Sequence, residues 1–171
     1  MKFAYADPPY VGQAKKHYGA NEVDHKMLIE KLQAEYDGWA LSCSAPSLHS
    51  LLPLCPPDAR IAAWVKPFAS FKPGVNPAFA WEPVLFRGSR KRGRDEDTVR
   101  DWCSANITLK KGLAGAKPLD FCNWIIDLLG AKPGEDMLDE LFPGTALLTK
   151  TWQARAPEPV QMGFYPTRLK N

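Results

Sequence analysis

Phe3-Ala4-Tyr5-Ala6-Asp7-Pro8-Pro9-Tyr10 is the stretch on which the reading of this 171-residue chain turns. A short apolar and aromatic run stops at an acidic residue followed by two prolines, which predicts a buried strand carrying a rigid turn at its carboxyl end. In open α/β sheets, ligands gather at such strand ends. The turn also has groups suited to one kind of chemistry. The exocyclic amino group of a nucleic-acid base is a poor nucleophile because its lone pair is delocalised into the ring, and acceptors aimed at its N–H groups return density to nitrogen. The Asp7 carboxylate and the Pro8 carbonyl can each take one N–H, while Pro9 has no N–H to compete. Fixed proline backbone angles hold these acceptors in place. Tyr10 can stack on a base that has left its helix. The plainer alternative is that Asp-Pro-Pro is only a turn.

Working outward, Asp24 is placed to cap a helix with Leu28, Ile29, Leu32 and Tyr36 on one face, and Gly38 marks its stop. Residues 39–43 form a second expected strand, residues 46–54 a short helix, and Arg60 to Val65 a third strand closed by Lys66-Pro67. Glu82 to Phe86 reads as another strand, with Pro83 pointing to an edge position or a strand start. Residues 87–116 then read as a mobile excursion. Helix 118–129 has the clearest pattern: Pro118 suits the first turn, Leu119, Cys122, Ile125, Ile126 and Leu129 make an apolar stripe, and Gly130 suits the cap. A strand over 135–141, a short helix around 147–152 and an extended tail over 153–171 complete the chain. Strands alternating with helices predict an α/β fold, a mostly parallel sheet covered on both faces.

Bulk properties suit a single domain spanning 1–171, with 45% hydrophobic and 24% charged residues. No run reaches the roughly 18 apolar residues needed to cross a bilayer, and the amino-terminal stretch is unlike a signal peptide, so a cytoplasmic protein without membrane association is expected. Cys43, Cys55, Cys103 and Cys122 form no CxxC pair, and His17, His25 and His49 complete no zinc spacing. No metal is therefore expected. The formal charge is only +3, but Arg87, Arg90, Lys91, Arg92 and Arg94 cluster in one segment. This cluster leaves the end of a strand expected to lie near the Asp7 strand, which makes it a candidate for contact with phosphates flanking the target base, joined by Lys66 at the end of its strand; the alternative is a solvated loop, since Asp95, Glu96 and Asp97 follow directly. Trp39, Trp64, Trp102 and Trp124 are read as core rather than base platforms.

Several segments together resemble the permuted adenine-N6 methyltransferases, both the β-class DNA enzymes of bacteria and phages and the mRNA adenosine enzymes, in which the catalytic motif precedes the cofactor motif. Ala6-Asp7-Pro8-Pro9-Tyr10 is similar to the catalytic motif, and Tyr18-Gly19 with the helix from Asp24 to the segment after it. Trp64-Val65-Lys66, Glu82 before an apolar strand, Lys117-Pro118 opening a helix, and Glu140-Leu141-Phe142-Pro143-Gly144-Thr145 follow in the family's order. The resemblance implies a Rossmann-like methyltransferase fold and S-adenosylmethionine as cofactor. It implies that Asp7, Lys117, Glu140, Phe142, Gly144 and Thr145 bind that cofactor, with Lys117 gripping its methionine carboxylate. A solvated lysine beside a helix is the alternative for Lys117. The implied reaction is methylation of adenine N6 in flipped-out DNA. RNA adenosine or cytosine-N4 methylation uses the same acceptors, and a non-catalytic partner subunit is the reading from another class. Two departures stand out: Glu140 is where the DNA enzymes usually carry Asp, and Ala146 is where they carry Gly. Only about twenty residues follow Thr151, so the sheet is expected to be shortened at its C-terminal end. The tail, a homodimer mate or a partner methyltransferase subunit would then complete the cofactor site.

Overall fold

The computed structural model describes residues 1–12, 22–68, 73–108 and 116–157. Its elements in chain order are β1 (Lys2–Ala6), α1 (His25–Glu35), β2 (Gly38–Ser42), α2 (Leu48–Leu51) flanked by 3-10 turns, β3 (Arg60–Val65), β4 (Trp81–Arg87), β5 (Trp102–Ser104), α3 (Leu119–Leu129), β6 (Met137–Leu141) and α4 (Leu147–Ala154). The six strands form one sheet in the order β5-β3-β4-β2-β1-β6. Five strands run the same way, and β4 alone is antiparallel to both its neighbours.

Strand β1 is apolar on both sides because both sides are covered. Phe3 and Tyr5 join the cluster built on Phe121, Ile125 and Leu129 of α3, whereas Ala4 and Ala6 face Ile29 and Leu32 of α1. A strand buried on both faces reads as a continuous apolar run rather than an alternating one. Phe121 anchors the first cluster, with ring centroids 5.8 Å from Tyr5, 5.2 Å from Trp64 and 5.6 Å from Trp124.

The helix ends follow their capping chemistry. The Asp24 carboxylate accepts from the Met27 N–H at 3.0 Å at the start of α1. Gly130 ends α3 in the left-handed region at φ 66, its N–H returning to the carbonyls of Ile126 and Asp127. Leu119, expected in the apolar stripe of α3, is more than half exposed, and Phe121 takes the buried place. Gly38, expected as a helix stop, is instead the first residue of β2, packed so closely on the Gly88 carbonyl that a side chain would collide with it.

Further expectations change. Of the two readings of Pro83, the edge position fails because β4 is central, whereas the strand start is nearer, Pro83 being the third residue of β4. Its carbonyl accepts from the Cys43 N–H just past the end of β2, so the proline's missing N–H falls where the ladder has stopped. The segment 87–116 is no continuous excursion, since it returns to the sheet as β5, paired in parallel with β3. Trp102 on this strand is exposed, unlike Trp39, Trp64 and Trp124. Tyr18-Gly19 and residues 158–171 of the expected tail lie outside the described residues, and residues 153 and 154 belong to α4. Among the described residues, β6 has a strand partner on one side only, and no helix is long and apolar enough to cross a membrane.

Candidate active site

Because β1, β2, β3 and β6 are parallel, their carboxyl ends lie together, and the candidate residues Asp7, Lys66 and Glu140 lie at these ends. Register places Ala6 beside Leu41 and Leu141, and the Asp7 N–H donates to the Leu141 carbonyl at 3.3 Å, tying the Asp7-Pro8-Pro9-Tyr10 turn to β6. Lys117 reaches the same place from the residue before the Pro118 N-cap of α3.

A network of four charged groups and one phenol results. The Lys117 ammonium is 2.8 Å from both Asp7 oxygens and 3.9 Å from Glu82 Oε2. Lys66 Nζ donates to Glu82 Oε1 at 2.9 Å, and the Tyr10 hydroxyl donates to Glu82 Oε2 at 2.6 Å. The Tyr10, Trp64 and Phe121 rings each lie within 6 Å of the Lys117 ammonium, which is only 8% exposed. Two carboxylates and two ammoniums balance in charge, as a largely desolvated site requires.

The two carboxylates are nevertheless different acids. Burial pushes the Asp7 carboxyl above its ordinary range, and the Lys117 ammonium opposes but does not cancel this. Burial pushes Glu82 the same way, but Lys117, the Tyr10 hydroxyl and Lys66 together overcome it and hold that carboxyl below its usual value. The Tyr10 phenol is raised well above its normal value by burial and by the negative charges of Asp7 and Glu82.

Beside β1, the end of β6 turns sharply. Phe142, Gly144 and Ala146 all have positive φ, at 65, 47 and 52. Gly144 has open space where a side chain would stand, so a ligand can approach its backbone. Ala146 occupies a conformation that glycine adopts with less strain, which gives a physical meaning to the alanine at this position. Glu140 Oε2 accepts from both the Thr149 N–H and the Thr149 hydroxyl, at 2.8 and 2.6 Å, so this carboxylate also braces the start of α4. Thr145 belongs to the same turn, its carbonyl 3.5 Å from Lys150 Nζ.

The basic segment is elsewhere. Since β4 runs antiparallel, Arg87 leaves the sheet at the amino ends of the other strands, level with Trp39. The Arg90 N–H donates to Leu129 at the far end of α3 from Lys117, a separation of about 18 Å at 1.5 Å per residue. The expectation that this segment flanks the Asp7 turn is therefore overturned by strand direction. Three of its arginines are also occupied: Arg87 pairs with Asp58, Arg90 with Asp136 and the Gly130 carbonyl, and Arg92 with the carbonyls of Asp97 and Asp127. Lys91 and Arg94 are exposed at the same end. Sequence reasoning gave Glu82 no role, because a lone glutamate opening a strand carries no sign of the three partners that converge on it.

No family model matches the sequence, and neither does any curated protein. Among solved structures, the chain is similar to the crystal structure of an M1.HpyAVI–SAM complex, with a TM-score of 0.51 and 12% identity over 91% of this chain and 88% of that one. The likeness is one of fold, and in this chain that fold is a Rossmann-like sheet of six mostly parallel strands with helices around it.

Proposed function

We propose that the chain is an S-adenosylmethionine-dependent methyltransferase acting on an exocyclic amino group of a nucleic-acid base, specifically N6 of adenine in DNA. The observation that carries this reading is the Asp7-Pro8-Pro9-Tyr10 turn at the carboxyl end of β1, with Asp7 held by Lys117 beside the left-handed loop that ends β6.

The donor set suits the cofactor. Its amino-acid end is zwitterionic, and the site offers an ammonium on Lys117 and carboxylates on Asp7 and, on the neighbouring strand, Glu140. The open backbone face of Gly144, in the loop with Phe142 and Thr145, admits a group packed against the main chain. When bound, the cofactor supplies an electrophilic methyl group on sulfonium. Asp7 and Pro8 accept the two amino N–H groups of the target base, so charge developing on nitrogen meets fixed acceptors. Asp7 must be ionised for this, and Lys117 favours that form against the cost of burial. The Tyr10 ring offers a stacking surface for a base extruded from its helix. Lys66, at the same end of the sheet, supports the nucleic-acid role better than the Arg87 to Arg94 segment, which leaves the sheet at the opposite end.

The test is incubation with methyl-labelled S-adenosylmethionine and a panel of unmethylated DNA and RNA, followed by nucleoside analysis. Label in N6-methyladenine from DNA supports the reading. Label in N4-methylcytosine or in RNA adenosine would move the substrate while keeping the chemistry, and label in neither polymer would overturn it.

A further inference from the structure

Resting on that function, we infer that Glu82 is the positioning residue that fixes Tyr10 as the stacking wall of the base site, with Lys66 locking Glu82 in turn. Among the described residues, the Tyr10 hydroxyl has one hydrogen bond, to Glu82 Oε2 at 2.6 Å. Pro8 and Pro9 stiffen the backbone up to Tyr10, but they do not set the ring's orientation, which depends on where the hydroxyl is anchored. The anchor lies on β4, where Glu82 is held in the ladder opposite Trp64 of β3.

The Glu82 carboxylate is itself oriented from two sides. Lys66 Nζ takes Oε1 at 2.9 Å, leaving Oε2 for Tyr10, and Lys117 stands 3.9 Å from that same oxygen. Phenol-to-carboxylate bonds with an ionised acceptor are short and directional, and this one, at 2.6 Å, falls within their range. The result links β3, β4 and the turn after β1, so the ring is preorganised before any base arrives. Preorganisation of this kind lowers the ordering cost of binding rather than adding a contact. Glu82 touches neither the methyl group nor the amino nitrogen in this scheme; it acts through Tyr10.

The experiment compares wild type with Tyr10→Phe, Glu82→Gln, Glu82→Ala and the Tyr10→Phe/Glu82→Ala double variant, using unmethylated plasmid DNA as probe. Glu82→Ala and Tyr10→Phe keep the ring and free only its orientation, so each should raise KM for DNA by a few-fold, short of the roughly tenfold expected where the whole base–aromatic contact is lost. The double variant should be no worse than the worse single, because both break the same link. Glu82→Gln, whose amide oxygen still accepts from the phenol, should recover part of the loss. KM for S-adenosylmethionine should stay in place, which a general structural defect would not allow, while any movement of the acid limb of the pH profile should be to lower pH, because the Glu82 charge is among the causes that raise Asp7. A second readout needs no catalysis: ultraviolet titration, with Tyr10→Phe as the reference, should show Tyr10 ionising at lower pH once Glu82 is removed. Additive effects in the double variant, an unchanged KM in Glu82→Ala, or an unchanged phenol titration would each overturn the inference. A wild type that methylates no DNA while the phenol titration shifts would overturn the function and leave the Glu82–Tyr10 anchor standing.

Discussion

Replacing Arg90 with serine separates a structural role for the basic segment from a nucleic-acid role. The Arg90 guanidinium makes two hydrogen bonds to Asp136, at 2.6 and 2.7 Å, and a third to the Gly130 carbonyl at 3.0 Å. The Asp136 side chain is 1% exposed and accepts further from the Lys132 N–H at 2.8 Å and the terminal amine at 2.7 Å. Removing Arg90 leaves Asp136 with the terminal amine and the Lys132 N–H, so the loss is smaller than that of orphaning a buried charge. Arg90 is itself a quarter exposed, so water also partly replaces it. For a chain of this size thermal unfolding should shift down by about 2–4 °C, the scale of one modest contact. Asp136 also has a pH signature. Burial alone would raise its carboxyl, but the terminal amine, Arg90 and the Lys132 N–H hold it down at about 2. A depressed carboxyl contributes stability above its unfolded value near 4 and loses it as pH falls towards 2, so the gap between wild type and Asp136→Asn should close over that window. Calorimetric scans against pH measure both effects. Arg90→Ser with unchanged Tm but a flatter salt dependence of DNA binding would refute the structural assignment.

Further predictions concern the site and its supports. Activity should fall on acidification along a limb lying above the ordinary carboxylate range, since Asp7 must be ionised and burial raises it; a pH–rate profile for kcat measures this. Ala146→Gly should stabilise the protein by about 1 kcal/mol by relieving the left-handed strain at the start of α4, as read by denaturant titration. Phe121→Ala should cost about 3–5 kcal/mol in the same assay, because the fully buried ring touches three other aromatic side chains. Lys117→Ala should weaken S-adenosylmethionine binding in isothermal titration and also lower Tm, since it leaves Asp7 without its ammonium.

What could be read from the sequence was local. The strand ending at Asp7 was legible because apolar residues on both faces and two prolines leave few alternatives. Helix α3 was legible because Pro118 and Gly130 bracket one apolar stripe, although the inclusion of Leu119 in that stripe came out wrong. Strand direction was not legible. Pro83 signals an edge position or a strand start, since nothing local shows that β2 ends where its missing N–H points. The basic segment was misplaced for the same reason: one antiparallel strand carries it to the opposite end of the sheet, and a charge cluster in a sequence has no address. Strand β5, only three residues long, is held by its pairing with β3 and has no periodicity to find. Glu82 was quoted only as part of a family pattern, because its importance depends on Tyr10 and Lys66 arriving from distant parts of the chain.

The central claim is that Asp7 activates an exocyclic amine. Its most direct test is the single-turnover rate of methyl transfer from labelled S-adenosylmethionine to unmethylated DNA, compared between wild type and Asp7→Ala with cofactor binding measured in parallel. Removing one preorganised partner of a developing charge costs roughly 3–4 kcal/mol, so transfer should slow by at least about a hundredfold while the variant remains folded. Transfer by Asp7→Ala at the wild-type rate would contradict the account.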